Sequence, residues 1–482
     1  MAVVTVVGSS GGAVQVTVDG GRAETLAQDY AQQILTAYTD GKFTSDDFTT
    51  SGNNIGQVPS QPITVAQGVI SAGGGYTVSG DYTHLVIGTG VSASVSADTP
   101  VDPQLNQRVT VNAININSAF LSVLSGDLAG VDFTAGNYNG SFVATTGDNA
   151  FRATGTTGNW TIVTGQGSNQ IYTSDGNNEI QTGVGNNTIR LGKGTNNVSL
   201  YGTDTVDGTI GGRANVTVYS GNTNLNLATN SFVHTDASVT VGSTINVGNA
   251  STVDSAINST ITFSGASGSI IGGSGDTISA AGDLYLAQGS NHTISVNGAL
   301  SFINGTGNTS VTTQYGTVWG ASGLNLSLSA DKYLIYTTNQ PGSVGDQNVN
   351  ASNSTGKVEF WTGPGSQTLI GGSGFNHFVF GTAFQGTSGD SFATVRSGQG
   401  LNDFGVLKGH SGGHITIEDF MSNAGNKFFM YNYKPANAVQ AVQKLLDTAV
   451  VNGNNTTITL DNNMTVTFVG ITHLNASNFD IS

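Results

Sequence analysis

The 482-residue sequence contains no cysteine, seven prolines and few cations. The lack of cysteine excludes disulfides, thiolate metal sites and cysteine nucleophiles, and it suits a protein that crosses oxidising compartments. Only 14 lysines and arginines stand against 30 acidic residues, so the net charge is −16. Since phosphate backbones are bound by clustered cations, the sequence predicts no nucleic-acid partner.

Long apolar runs are also missing. No stretch reaches the roughly 18 apolar residues that a membrane-spanning helix needs, so we predict no membrane span. The first twelve residues lack the basic and apolar segments of a cleaved secretion signal. We therefore expect that the protein either stays inside the cell or is exported by a signal elsewhere in the chain.

The residues that are abundant indicate an all-β protein. With 37% hydrophobic but only 9% charged residues, the composition is unlike that of disordered chains. Short β-branched runs are separated by turns rich in glycine and asparagine, which is typical of many short strands. Helical spacing of apolar residues is found near the two ends, at residues 22–38 and 436–451.

An internal repeat is the strongest pattern. Four consecutive nonapeptides with the pattern [GS]-x-G-x-N-x-[IV] begin at Gly165, Ser174, Gly183 and Gly192. Glycine permits tight turns, and one aliphatic residue per repeat points inward from the following short strand. Because one repeat cannot bury that residue alone, the turns must stack. We predict a parallel β-roll or β-solenoid with short terminal helices.

The nonapeptide resembles the repeats-in-toxin (RTX) motif G-G-x-G-x-D-x-U-x, where U is a large aliphatic residue. Residues 415–420 (ITIEDF) and 425–428 (GNKF) are similar to that family's C-terminal I-x-D-F…G-x-D-K segment, and residues 466–482 are similar to its uncleaved secretion signals. The resemblance implies a C-terminal RTX-like secretion domain, type I secretion from a Gram-negative bacterium, and calcium bound by Asp carboxylates and turn carbonyls.

This sequence departs from the RTX motif at the calcium-binding Asp. The equivalent positions are amides, chiefly Asn169, Asn178, Asn187, Asn196 and Asn376. Calcium affinity depends on the number of charged ligands, so we expect weak calcium binding or none along these turns. We predict instead that the stacked amides hydrogen-bond to each other as ladders. Four carboxylates remain as candidate calcium ligands at isolated sites, namely Asp175, Asp204, Asp207 and Asp276.

Three regions and one function follow as predictions. Residues 1–60 form an N-terminal cap or assembly region containing a helix, residues 61–335 the solenoid, and residues 336–482 the RTX-like roll with the secretion signal. We predict a secreted, non-enzymatic protein that self-associates at the cell surface into a surface layer, filament or biofilm scaffold. One alternative is an adhesin that binds cells or glycans, with a cell-surface polysaccharide as partner. Another is a β-helix polysaccharide lyase or hydrolase, which the scattered carboxylates disfavour.

Overall fold

The fold is all-β, as predicted. A computed structural model describes residues 2–8, 12–48, 51–56, 63–88, 108–126, 129–338, 345–381, 389–409 and 412–481. Only 8% of the chain is helical. The chain divides into two compact units, Met1–Gly248 and Asn249–Ser482. Both are parallel β-solenoids, with about 17 turns in total. The boundary predicted between residues 60 and 61 lies outside the described residues, and the one predicted between residues 335 and 336 falls inside a strand.

The first unit contains one helix, α1 (Arg22–Thr39), within its described residues. Its strands are β1 (Ala2–Val7), β2 (Ala13–Val18), β3 (Phe43–Phe48), β4 (Gly52–Gly56), β5 (Val65–Ile70), β6 (Gly74–Gly80), β7 (His84–Ile87), β8 (Val109–Ala113), β9 (Phe120–Ser125), β10 (Val131–Ala135), β11 (Asn139–Ala144), β12 (Ala150–Arg152), β13 (Trp160–Thr164), β14 (Gln170–Tyr172), β15 (Asn178–Gln181), β16 (Thr188–Arg190), β17 (Asn196–Leu200), β18 (Thr205–Gly208), β19 (Ala214–Val218), β20 (Asn224–Leu227), β21 (Phe232–Thr235) and β22 (Thr244–Val247).

The second unit likewise contains one α-helix in its described part, α2 (Ala438–Asp447). Its strands are β23 (Ser251–Asp254), β24 (Thr260–Phe263), β25 (Ser267–Ile271), β26 (Thr277–Ala280), β27 (Asp283–Ala287), β28 (Thr293–Thr337), β29 (Gln347–Asn350), β30 (Lys357–Trp361), β31 (Gly365–Ile370), β32 (Asn376–Phe380), β33 (Ser391–Arg396), β34 (Asn402–Leu407), β35 (Gly413–Ile417), β36 (Lys427–Tyr431), β37 (Val450–Asn452), β38 (Asn455–Thr459), β39 (Met464–Phe468) and β40 (Phe479–Ile481). Different parts of β28 pair with β26, β27, β29 and β30, and its backbone turns at Asn304, Gly307 and Gly323, where φ is positive.

Each turn of the clear repeat contains two nonapeptides. Strands pair in parallel with the next strand but one, so Asn178 lies opposite Asn196, eighteen positions later. In the same way β14 pairs with β16, with Gln170 opposite Thr188. Nonapeptides that are adjacent in the sequence therefore belong to two different columns of strands.

The core is built from one aliphatic residue per nonapeptide. One inward column runs through Ile171, Ile189 and Val206, all with 0% exposure. Burying each such side chain contributes about 1.5–3 kcal/mol. The turns between strands require glycine because successive turns approach closely: a Cβ added at Gly185, where φ is 138°, would lie 2.0 Å from the carbonyl oxygen of Gly167. These contacts explain why the repeat keeps both its glycine and its aliphatic position.

The hairpin β1–β2 and helix α1 lie against the side of the first unit. Helix α1 buries Ala23, Ala27, Tyr30, Ile34 and Ala37, which recur at helical spacing. It contacts strands from β3 to β13, so it extends along several turns rather than covering only the first one. The hairpin and helix cover one outward column of the solenoid, which consists of Val69, Val86, Leu124, Val143 and Val163.

The second unit ends in an antiparallel extension. Strand β39 pairs in parallel with β35 on one side and antiparallel with β38 on the other, and β37 pairs with β38. Helix α2 begins after Asn437, whose side chain accepts a hydrogen bond from the backbone N–H of Gln440, and it contacts β38 and β40. Among the described residues, no helix has the length and apolar character needed to cross a membrane.

Candidate functional site

The amides of the repeat form a buried hydrogen-bonded column in the first unit, here called ladder A (Asn149, Asn169, Asn187 and Asp204). Nδ2 of Asn149 donates to Oδ1 of Asn169 at 3.1 Å, and Nδ2 of Asn169 donates to Oδ1 of Asn187 at 2.8 Å. Nδ2 of Asn187 in turn donates to Oδ1 of Asp204 at 2.6 Å. The same oxygens also accept from the backbone N–H of the preceding turn, as Asn187 Oδ1 does from Asn169 N at 3.1 Å.

The intervening nonapeptides form a second column, ladder B (Asn178 and Asn196). Nδ2 of Asn178 donates to Oδ1 of Asn196 at 2.9 Å. Both side chains are buried. The two ladders exist because eighteen residues make one turn, which places alternate repeats in separate columns.

The second unit contains a related column, ladder C (Asn376, Asn402 and Asn426). Nδ2 of Asn376 donates to Oδ1 of Asn402 at 2.8 Å, and the backbone N–H of Asn402 donates to Oδ1 of Asn426 at 2.8 Å. Asn149 and Asn402 were not predicted as ladder members. Their signal is a Gly-x-Asn-x-Phe pattern, in which an aromatic residue takes the aliphatic position and a longer turn breaks the nine-residue spacing.

The ladder amides also lie within hydrogen-bond distance of the carbonyls of their own turns, which share the two hydrogens of each amide with the next ladder member. Nδ2 of Asn178 donates to the backbone oxygens of Ser174 at 3.2 Å and Gly176 at 2.8 Å. Nδ2 of Asn196 does the same to Gly192 at 3.2 Å and Gly194 at 3.1 Å. In the RTX motif such carbonyls are calcium ligands, whereas here an N–H group points at them. The amide thus replaces both the charge and the cation with one neutral group that is donor and acceptor at once.

Two of the four candidate calcium ligands lie at the surface in ion pairs. Asp175 is 3.1 Å from Lys193 Nζ, and hydrogen bonds from Lys193 hold the pKa of the Asp175 carboxyl below its usual value. Asp207 accepts a hydrogen bond from the Thr209 hydroxyl at 2.7 Å and lies 3.7 Å from Arg190 Nε. The hydrogen bond from Thr209 is the main cause of the lowered pKa of Asp207.

Asp204 is buried at the end of ladder A. Burial raises the pKa of its carboxyl above the usual value, while hydrogen bonds from Asn187 and Thr182 act in the opposite direction. An ionised carboxylate accepts hydrogen bonds but donates none. Asp204 therefore accepts from Asn187 and ends ladder A, because it has no N–H to donate to a next turn.

Asp276 is buried beside His292 in the second unit. Oδ1 of Asp276 accepts from the backbone N–H of Ser259 at 2.8 Å, and its Oδ2 lies 3.5 Å from His292 Nδ1. The backbone N–H of Asp276 donates to the same Nδ1 at 3.3 Å. Burial raises the pKa of Asp276 to about 6 and lowers that of His292 to about 4. Asp276 Oδ2 and His292 Nε2 have no hydrogen-bond partner.

The four aspartates predicted as candidate calcium ligands therefore lie at four separate places, each with its own protein partners. Within the described ranges, no group of three or more His, Asp or Glu side chains is placed to hold a metal ion. The repeat brings amide side chains into contact with each other. Such contacts connect the turns of the solenoid.

The first turns of the first unit leave strand edges unpaired. Among the described residues, β3 pairs only with β5, and β4 pairs only with β6. Strand β3 contains Asp46 and Asp47, a charge pattern that discourages pairing with another strand. Strand β4 (GNNIG) has no charge, and its Ile55 is 68% exposed. The edge of β4 is thus the more accessible of the two.

The antiparallel end of the second unit also carries an exposed edge. Strand β37 (VVN) pairs only with β38 within the described part of the chain, and both of its valines, Val450 and Val451, are exposed. Val439 on the neighbouring helix α2 is 72% exposed. An uncharged edge strand with exposed apolar side chains is open to pairing with another strand.

Comparison with known proteins adds no relative. No protein-family model matches the chain, and neither the curated proteins nor the solved structures searched contain a match.

Proposed function

We propose that this chain is a secreted structural protein whose copies assemble into a surface layer, an extracellular filament or a biofilm scaffold. The observation that carries the proposal is the pair of unlike, uncharged strand edges, β4 in the first unit and β37 in the second. Two unlike surfaces that complement each other give a heterologous contact, and such contacts can be repeated without limit unless they close into a ring.

The occupant that fits these edges is a second copy of the same chain. Within the described residues, β4 has a partner strand on one side only and an exposed isoleucine, and β37 likewise has one partner strand and two exposed valines, so pairing would bury apolar surface on both sides.

The buried ladders suit a load-bearing role. Ladders A, B and C connect successive turns through side-chain hydrogen bonds in addition to those of the backbone, and each link between two asparagines is uncharged. A chain built in this way is stiff although only 37% of its residues are hydrophobic. Export by type I secretion from a Gram-negative bacterium, and a final location at the cell surface, are part of the proposal and rest on the C-terminal RTX-like segments.

The test is assembly of purified protein, measured by sedimentation velocity and negative-stain electron microscopy. We expect ordered polymers from the wild type and loss of polymers in Ile55→Lys and in Val450→Lys, because a lysine at an edge opposes strand pairing. Val241→Lys is the matched control, since Val241 is also exposed (47%) but lies outside any strand. Monomeric wild type under all conditions, or polymers unaffected by both edge variants, would contradict the proposal.

A further inference from the structure

Strands β30, β32, β34 and β36 of the second unit carry rings on both faces of the sheet. Their inward side chains are phenylalanines with 0% exposure, namely Phe360, Phe378, Phe404 and Phe428. Because successive residues of a strand point to opposite faces, a second set of rings points outward from these strands and is half-buried, namely Trp361, His377, Phe429 and Tyr431. The phenylalanines fill the core of these turns, so the outward rings are not part of it.

The four outward rings lie in one row along the stacked strands, here called the ring row (Trp361, His377, Tyr431 and Phe429). The ring centroid of His377 is 6.1 Å from that of Trp361 and 6.2 Å from that of Tyr431. The ring of Tyr431 in turn lies 5.8 Å from that of Phe429. Gly405 makes room for the row, since a Cβ there would lie 2.5 Å from Cε2 of Tyr431. The row crosses four successive strands about 4.8 Å apart, so it is about 14 Å long.

Three carboxylates lie beside the ring row. Burial, followed by the charges of Asp403, Asp480 and Glu359, raises the pKa of Tyr431 to about 12, so all three carboxylates act on the Tyr431 hydroxyl. Oδ2 of Asp403 is also 3.8 Å from Nδ1 of His377. The rings are therefore flanked by groups that accept hydrogen bonds.

Two lysines lie near these carboxylates, and both are bonded within the protein. Nζ of Lys357 is 2.6 Å from Oε1 of Glu359, and Nζ of Lys427 donates to the backbone oxygen of Ser477. Three carboxylates against two bonded lysines disfavour an anionic ligand at this surface. An acidic polysaccharide or a nucleic acid therefore fits the row poorly.

The chemistry of the ring row fits an uncharged sugar chain. The indole N–H of Trp361 already donates to Oε2 of Glu359 at 2.9 Å, so this ring offers a ligand its apolar face. Ring faces pack against the C–H groups of sugars, while carboxylates and the Tyr431 hydroxyl bond to sugar hydroxyls. A row about 14 Å long exceeds one sugar ring, so a chain covers it better than a monosaccharide does.

We propose that the ring row binds an uncharged polysaccharide that runs along the stacked strands. Sugar faces lie against Trp361 and Tyr431, and sugar hydroxyls bond to Glu359 and Asp403. These residues differ from those of the edges β4 and β37, so sugar binding can be tested independently of assembly.

The experiment is affinity electrophoresis of the full chain in native gels that contain dextran, laminarin or galactomannan, with alginate as the acidic comparison. We expect at least one of the three neutral polymers to slow the wild type, and alginate to have no effect. Trp361→Ala and Tyr431→Ala should each weaken the binding at least tenfold. Tyr285→Ala is the matched control and should bind like the wild type, because Tyr285 is an exposed (45%) outward tyrosine of β27 in the same unit.

Tryptophan fluorescence gives a second readout that does not require the alanine variants to fold. Trp160, in the first unit, is 2% exposed, whereas Trp361 is half-buried. A polymer that covers the ring row should therefore shift the emission of the wild type. Trp361→Phe keeps a ring at this position, so it should bind within about threefold of the wild type but lose most of that shift.

Several results would overturn the proposal. One is that none of the three neutral polymers slows the wild type, or that only alginate does. Another is equal binding by the wild type, Trp361→Ala and Tyr431→Ala, or an undiminished emission shift in Trp361→Phe, since either would place the binding elsewhere. An emission shift that follows protein concentration rather than polymer would mean that a second copy covers the row, which also contradicts the proposal.

Discussion

Ladder A and the Asp276–His292 pair occupy the same kind of buried position in a solenoid turn, but they differ in how completely their polar atoms are hydrogen-bonded. In both, a backbone N–H of one turn donates to a buried side-chain acceptor of the next, as Asn169 does to Asn187 at 3.1 Å and Ser259 does to Asp276 at 2.8 Å. The amides then also bond to each other, whereas Asp276 Oδ2 and His292 Nε2 are left without partners. An amide is its own complement, so it can be stacked at any pH, while the acid–imidazole pair depends on protons.

The largest expected effect comes from breaking ladder A. Asn169→Leu removes the partners of Asn149 and Asn187 and of the Gly165 carbonyl. Since each buried unsatisfied group costs about 1–3 kcal/mol, we expect the free energy of unfolding to fall by about 4 kcal/mol in urea titrations followed by circular dichroism. The control is Asn197→Leu, at an exposed amide bonded to Asn215, where the loss should be under about 1 kcal/mol. Equal losses in the two variants would show that ladder A contributes nothing special.

The second effect is the pH dependence that the Asp276–His292 pair contributes to stability. The raised pKa of Asp276 contributes stability at low pH that is lost as the pH rises from about 4 to about 6. The lowered pKa of His292 contributes stability at neutral pH that is lost as the pH falls from about 6.5 to about 4. These two slopes oppose each other in the wild type.

Single variants should separate the two slopes. Asp276→Asn leaves the His292 slope, so stability should fall by about 3 kcal/mol between pH 6.5 and pH 4 relative to the wild type. His292→Asn leaves the Asp276 slope, so stability should fall by a similar amount as the pH rises from 4 to 6. Urea titrations at pH 4, 5, 6 and 7 measure both. Parallel pH curves for the wild type and the two variants would show that the pair does not titrate as its burial indicates.

The smallest effect concerns calcium. Because amide N–H groups already occupy the turn carbonyls of ladders A, B and C, we expect the Tm to change by less than about 2 °C between millimolar calcium chloride and excess chelator. A site saturated at a hundred times its Kd would add about 2.7 kcal/mol, which is easily seen. A Tm that rises by several degrees with calcium would mean that the cation competes successfully with the amides.

The repeat made the fold predictable, but it did not disclose the connectivity of the turn. Glycine at fixed spacing and one aliphatic residue per nonapeptide were enough to predict a parallel solenoid, because few other folds bury so little in so regular a way. The spacing does not tell whether a turn contains one nonapeptide or two, so the separation into ladders A and B had to come from strand pairing. Helix α1 was recognisable from Leu26, Tyr30, Ile34 and Tyr38, but its position along the side of the unit was not.

The free edges of β4 and β37 could not be predicted for a different reason. A free edge depends on which strands lie beside a segment in the fold and not on the segment's own composition.

The pairing of nine-residue halves into an eighteen-residue turn has a consequence for how such a gene changes length. Loss or gain of eighteen residues within the clear repeat removes or adds one whole turn and keeps every later asparagine in its own column. A change of nine residues moves every later segment to the other column, so all turns after the clear repeat are displaced by half a turn. Tandem duplication and deletion in this region should therefore be tolerated in even numbers of repeats and eliminated in odd ones.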